Sequence, residues 1–271
     1  MNEQMNWFTV LLNKWLGGAA LALLSALHIS PSNPAYPIPN FVAMDLVVFL
    51  IGALFFLWLK PRISVERPGA TQQVMEYILT NPMRVGIRDL LDDSIEHDPR
   101  HYVTMVGSIA IFVLMANAIS IVPAFDSPTG HPSVPLACAI LTFISFNWWG
   151  LRHHGPIGYA KTFAGPVWWL SWLLFPVEII SSIARLLSLT VRLWANMFAS
   201  ELIYVVFLGL LMAPVQHFSL TQPALSYALA IFPILIPPLF ILLHAFVAVV
   251  QAFIFTILPA VYIGLATSHD H

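Results

Sequence analysis

The sequence predicts an all-α, polytopic membrane protein built from three simple spans, a long, steeply tilted helical hairpin and an N-terminal interfacial helix. Three observations carry that expectation. Of 271 residues, 59% are hydrophobic and only 9% are charged, whereas a water-soluble domain carries about 25% charge. The mean hydropathy is +0.81. The uncharged runs are as long as the roughly 20 residues of helix that cross a hydrocarbon core of about 30 Å. Eleven Lys and Arg against thirteen Asp and Glu give a net charge of −2, so no global basic field exists to hold nucleic acid. The single cysteine, Cys138, excludes a disulfide framework or a cysteine-based metal cluster and reads as packing.

Taken in order, residues 1–40 form an external N-terminal segment. Trp7 to Ile29 is apolar around Asn13 and Lys14, and a Pro-rich stretch follows from Ser30 to Asn40; a helix lying on the outer membrane surface is expected. A cleavable signal peptide is the alternative, but Met1 to Met5 holds Glu3 and no basic residue, a poor n-region. Residues 41–165 then hold three transmembrane helices with cytoplasmic loops at 60–100 and 152–165. The first, Phe41 to Leu59, is interrupted only by Asp45, while Tyr102 to Val122 and Val134 to Leu151 carry no charge. The remaining residues, 166–271, contain two apolar regions, Pro166 to Met212 and Ala224 to Ala266, each about twice as long as a crossing needs. From Val177 to Leu208 there is neither Gly nor Pro, so nothing invites a turn. At 1.5 Å per residue this single helix is roughly 48 Å long and must tilt steeply. Pro233, Pro237 and Pro238 mark a kink or break, Leu239 to Leu258 reads as continuous helix, and the linker Pro214 to Pro223 is the bend of the hairpin.

Orientation follows from the cations. Lys60, Arg62, Arg67, Arg84, Arg88 and Arg100 lie in the first loop and Arg152 and Lys161 in the second, so both loops are expected in the cytoplasm. Pro123 to Ser133 and the bend near Pro214 carry none. The N-terminus is then outside and the C-terminus cytoplasmic. Asp92, Asp93, Glu96 and Asp98 form an acidic cytoplasmic patch, most simply a solvated face, with contact to a partner as its other use.

With Lys14 outside, two cations remain within the membrane, Arg185 and Arg192. An arginine at bilayer depth costs at least roughly 2.5 kcal/mol, so its presence needs a reason. Glu178, Arg185 and Arg192 are spaced by seven and share one helix face to within about 20° per step. Two turns separate Glu178 from Arg185, which makes a direct pair awkward and a solvating cavity the expectation. Asn196, four past Arg192, joins the stripe. Glu201 lies on the opposite face, about 13 Å further along the axis, so Arg192 and Glu201 cannot neutralise each other. The second long helix offers His244 and Gln251, seven apart. A carboxylate and a histidine in a hydrated crevice relay protons. An arginine, always protonated, instead holds a passing carboxylate ionised and blocks a straight proton leak.

Two stretches carry a resemblance. SLTVRLWANMFASELI (Ser188 to Ile203) and HAFVAVVQAFIFTILPAVYI (His244 to Ile263) resemble the signature helices of the F-type ATP synthase subunit a family, and ERPGATQQVMEYI (Glu66 to Ile78) is similar to its cytoplasmic segment. The match falls on Arg192, Asn196, Met197, Glu201 and Gln251, with Glu178, Arg185 and Ser188 fitting upstream. The resemblance implies a proton-conducting stator subunit with two offset half-channels. Arg192 then faces the carboxylates of a c-ring, Glu201, His244, Asn196 and Gln251 line the outer half-channel, and Glu178 lies near the cytoplasmic exit. It further implies the c-ring, peripheral-stalk b subunits and membrane lipid as partners, no cofactor, no metal and no active site of its own. Asp45 is placed either on the outer access path or as an interfacial anchor. Two departures stand out. Where members carry Asp and Asn before the third span, TGHPSVPLACA (Thr129 to Ala139) offers only His131 and Ser133, so a different outer entrance is expected. In WAN (Trp194 to Asn196), Ala195 replaces a common glycine.

Two other classes compete. A di-metal membrane enzyme of the desaturase kind would use His97, His101, His153 and His154 on the cytoplasmic side, but no further histidine box accompanies them. A secondary transporter would need paired broken helices or inverted repeats, neither of which is evident. There is no Gly-rich loop for a nucleotide phosphate.

Overall fold

The computed structural model describes residues 6–31, 33–81, 83–95, 99–121, 125–164, 168–218 and 230–267. Among these the regular structure is helical: α1 (Trp7–Ala26), α2 (Asn40–Leu59), α3 (Ala70–Leu79), α4 (Ile87–Ser94), α5 (Arg100–Ala118), α6 (Ser133–Ala164), α7 (Ser171–Phe218) and α8 (Ile231–Thr267). Short 3-10 turns at Lys60–Arg62 and Ile119–Ile121 extend α2 and α5, and another at Pro128–Gly130 precedes α6. Six helices are long and apolar enough to cross a membrane: α1, α2, α5, α6, α7 and α8. Their outward side chains are those that lipid, not water, accommodates: Phe49, Leu54 and Leu57 of α2 are 65%, 65% and 67% exposed. An apolar surface of that extent marks a membrane or partner contact. The chain is a polytopic, all-helical membrane protein.

The expected spans recur with shifted ends. The long helix of 166–271 is longer than its Gly- and Pro-free stretch. α7 has 48 residues, roughly 72 Å at 1.5 Å per residue, and runs through Pro176 and Pro214. Pro176 sits in its second turn, where it forfeits the bond an N–H would make to the Trp172 carbonyl. α8 likewise starts at Ile231 and continues through Pro233, Pro237 and Pro238, which the sequence reading marks as a kink or break. Of the loop expected at 152–165, residues 152–164 are helical. α6 turns at Gly155, whose φ of 70° and ψ of 168° suit a residue without Cβ, and resumes at Pro156, whose fixed φ and missing N–H fit a first helical position.

The chain divides into two compact units. One comprises Met1–Leu54, Met115–His131 and Asn196–Ala248. In it, Asn13 ties the Pro-rich strap to α1. Its Nδ2 donates to Thr9 O and to Ile38 O, both at 2.9 Å, and its Oδ1 accepts from Ile38 N at 2.9 Å. Ile38 stands between Pro37 and Pro39, so its amide is the one backbone donor of that tripeptide, and a buried amide must be satisfied.

The other unit comprises Phe55–Leu114, Pro132–Ala195 and Val249–His271. Its core gathers Ile87, Leu91 and Ile95 of the α4 region with Val106, Ala110, Phe146, Ala260 and Ile263. α4 turns this apolar face inward together with Asp89, which is buried and accepts from Asn81 N at 2.8 Å, and leaves Arg88, Asp92 and Asp93 outside, where Arg84 pairs with Asp93 and Arg88 with Asp92 at 3.8 Å. The acidic patch is therefore partly ion-paired; Glu96 and Asp98 lie outside the described residues.

Candidate functional site

In the first unit the polar groups converge on Glu201 and His244. Ser127, in the segment before α6, donates its backbone N–H to Glu201 Oε1 at 3.0 Å. That donor is held from behind. The Ser127 hydroxyl donates to Ala116 O at 3.1 Å and lies 2.6 Å from Thr129 Oγ1, whose own hydroxyl donates to Asn117 Oδ1. Ser127, Thr129 and Asn117 are buried, and buried hydroxyl networks rigidify when their members are paired. His244, on α8, is held at both ring nitrogens: Nε2 is 2.7 Å from Ser120 Oγ and Nδ1 is 2.8 Å from Ser200 Oγ. Ser120, Ser200, Glu201, Tyr204 and His244, with Phe240 among the apolar neighbours, line a cavity of about 60 Å³. A single water needs only about 10–15 Å³ of such volume, so the space has room for several, and carboxylate, imidazole, phenol and hydroxyls meet in one crevice.

Of the outer half-channel residues expected from sequence, Glu201 and His244 are thus brought together. Asn196 is exposed on α7, and Asp45 does not line the cavity; its Oδ1 is buried with no hydrogen-bond partner among the described residues. His131 stacks on Phe41, ring centroids 3.9 Å apart. Polar contact with the Glu201 carboxylate comes from Ser127 instead. Sequence reading missed Ser120, Ser200 and the Ser127–Thr129–Asn117 chain. Only Ser200, inside the quoted motif beside Glu201, carried a signal.

In the second unit Arg192 is exposed on α7, with Nη2 3.5 Å from Ser188 Oγ, and no carboxylate pairs with it among the described residues. Arg185 behaves otherwise than expected. Its Nη2 lies 3.1 Å from Glu178 Oε1, and its guanidinium is 5.6 Å from the Tyr262 ring. The expectation of an awkward pair fails because seven residues advance the helix by only about 10.5 Å while returning almost to the same face, a gap that two long side chains close. Helical side chains also lean toward the N-terminus, which carries Arg185 back toward Glu178. Gln251 is 1% exposed, and its Oε1 has no partner among the described residues.

The family model described as ATP synthase A chain matches residues 41–264. The chain belongs to the ATP synthase A chain family. It is 38% identical over 265 residues to an ATP synthase subunit a of Koribacter versatilis, covering 98% of each chain. It is 37% identical over 259 residues to that of Solibacter usitatus, covering 96% of this chain and 99% of the relative. A third relative, ATP synthase subunit a 3 of Pelobacter propionicus, is 34% identical over 250 residues, 92% of this chain and 94% of its own. The proton-conducting stator role implied by the two signature helices follows from membership of the ATP synthase A chain family, as does its place as a component of a larger complex. The di-metal alternative gives way to the family assignment. His97 lies outside the described residues, His101 packs edge-on against Trp149, and the rings of His153 and His154 pack against each other. Among the described residues no group of three or more His, Cys, Asp or Glu is placed to hold a metal.

Proposed function

We propose that residues 166–271 conduct protons through two offset half-channels that meet at a c-ring, with Arg192 between them. The observation that carries this is the arginine itself. A guanidinium on a membrane-crossing helix, with no carboxylate partner among the described residues, calls for a counter-charge from another chain. On its helix face Ser188, Asn196 and Ala199 are likewise exposed, so small and polar side chains leave room beside the guanidinium for a carboxylate brought by a partner.

Protons enter from outside through the crevice of Glu201 and His244, continue past Asn196 and Gln251, and neutralise a ring carboxylate so that it can face lipid. Arg192 holds the arriving ring carboxylate ionised, so its proton leaves before it passes, toward the exit beside Glu178. Each charge crossing gains about 2.3 kcal/mol per 100 mV, which turns the ring. We place the N-terminus and α1 outside, the C-terminus in the cytoplasm of a bacterial cell bounded by its inner membrane, and the b subunits of the peripheral stalk against the cytoplasmic segment 60–100. Arg192→Ala is expected to abolish ATP-driven acidification of inverted membrane vesicles while the subunit remains inserted, as judged by immunoblot. Vesicles of that variant that still acidify would refute the assignment.

A further inference from the structure

The hydrogen bonds around His244 pose a problem of proton number. The Ser120 hydroxyl donates to Asn117 O at 2.9 Å and stands 2.7 Å from His244 Nε2. The Ser200 hydroxyl donates to Met197 O at 2.9 Å and stands 2.8 Å from Nδ1. A hydroxyl has one proton. If both serines give theirs to the helix carbonyls, both ring nitrogens must be donors, which only the imidazolium satisfies. A neutral ring has one N–H, so one serine must turn its proton inward to the bare nitrogen. Its helix carbonyl then loses only an additional bond, since a carbonyl oxygen has two lone pairs and the helix ladder uses the other. In either state every ring nitrogen and every hydroxyl is paired.

We propose that Ser120 and Ser200 are positioning residues that let His244 gain and lose a proton with both ring nitrogens paired in either state, through rotation of their hydroxyls. The assignment rests on the outer half-channel placed above. Uptake at Nε2 balances as follows. A proton donor in the cavity, water or the Glu201 carboxyl, gives its proton to Ser120 Oγ as the Ser120 proton passes to Nε2. One donor bond and one O–H bond break, and one O–H bond and one N–H bond form. The new hydroxyl proton turns to Asn117 O, and the ring carries the charge. Release runs in reverse, and the same exchange operates at Nδ1 through Ser200. Because no buried group is stranded, protonation avoids the desolvation cost that an unpaired imidazole nitrogen would impose, and His244 exchanges protons quickly with the crevice.

The test uses inverted membrane vesicles carrying the assembled complex, with passive proton conductance measured after removal of the peripheral catalytic sector. Ser120→Ala and Ser200→Ala should each lower conductance severalfold, and the double variant by about a hundredfold, the lower end of what a proton-transfer group contributes. Ser120→Thr and Ser200→Thr, which keep the hydroxyl, should restore it. The solvent deuterium isotope effect should rise in the alanine variants, a change that a purely packing role would not produce. Alanine variants that conduct like the parent, losses that threonine does not restore, or an unaltered isotope effect would each overturn the assignment. Arg192→Ala measured alongside separates the two levels. If it abolishes coupled pumping while the serine variants are silent, only the serine roles fall; if it keeps pumping, the half-channel reading falls with them.

Discussion

Gly130 is where one added methyl group interrogates the placement of Glu201. The backbone there has no positive φ, so alanine is conformationally acceptable and any effect comes from the side chain alone. A Cβ at this position would stand 2.9 Å from Glu201 Oε2, 3.5 Å from its Cδ and 3.6 Å from its Oε1. The first distance is closer than real carbon–oxygen contacts allow, so the carboxylate must retreat by a few tenths of an ångström. It cannot do so freely, because Oε1 is bonded to the Ser127 amide at 3.0 Å, and that amide is fixed by the Ser127–Thr129–Asn117 chain. A hydrogen bond to a charged group contributes about 1.5–3 kcal/mol; weakening it by about half costs roughly 1 kcal/mol, or about fivefold in a rate that depends on it. Gly130→Ala should therefore slow ATP-driven acidification of inverted vesicles about fivefold at unchanged subunit level, with Gly130→Val slower still. Wild-type rates in both variants would refute the claim that proton passage depends on where this segment holds Glu201.

Asn13→Ala removes the pairing of Ile38 N–H and C=O, at about 1–3 kcal/mol for each group left unsatisfied, and should speed proteolysis within the Pro-rich strap. Gly264→Ala sets a Cβ against the Ser94 carbonyl, closer than contact allows. Overpacking of about 1–3 kcal/mol should lower the amount of subunit in membranes by immunoblot, whereas Gly18→Ala, with nothing within 4 Å, should not. For the Glu178–Arg185 pair, a double-mutant cycle on Glu178→Gln and Arg185→Gln, read as pumping rate, should be non-additive by about 0.6 kcal/mol, the usual scale between membrane helical side chains. Additive effects would show that the pair does not act as a unit.

Hydropathy made the spans legible because the bilayer imposes one length on every crossing. Where expectation and structure diverge, the cause is local. Pro233 lies in the first turn of α8, where the missing N–H would have had no helical partner; Pro237 and Pro238 lie beyond that turn and the helix still continues through them, so each of these two marks a lost ladder bond and not a stop. The loop expected at 152–165 overlooks Gly155 and Pro156, which turn the chain and let a helix resume, since whether a helix continues there depends on what packs against it. The Glu178–Arg185 pair was misjudged by treating seven residues as a distance rather than as a distance spanned by two flexible side chains.

The same contrast divides the candidate site. Arg192, Glu201 and His244 are visible in a sequence because a charged or titratable group in an apolar helix is expensive wherever it points, so its presence alone is informative. Ser120 and Ser200 are invisible for the opposite reason. A helix absorbs a serine at little cost by bonding its hydroxyl to a preceding carbonyl, and both serines do this. What distinguishes them is the second contact, to the two nitrogens of one imidazole, and that exists only where residues 117–120, 197–201 and 244 converge. The proposed proton path therefore draws on two kinds of residue. In that proposal the charged ones let protons pass, and the hydroxyls, interchangeable with packing serines until the chain folds, set how readily His244 accepts and surrenders them.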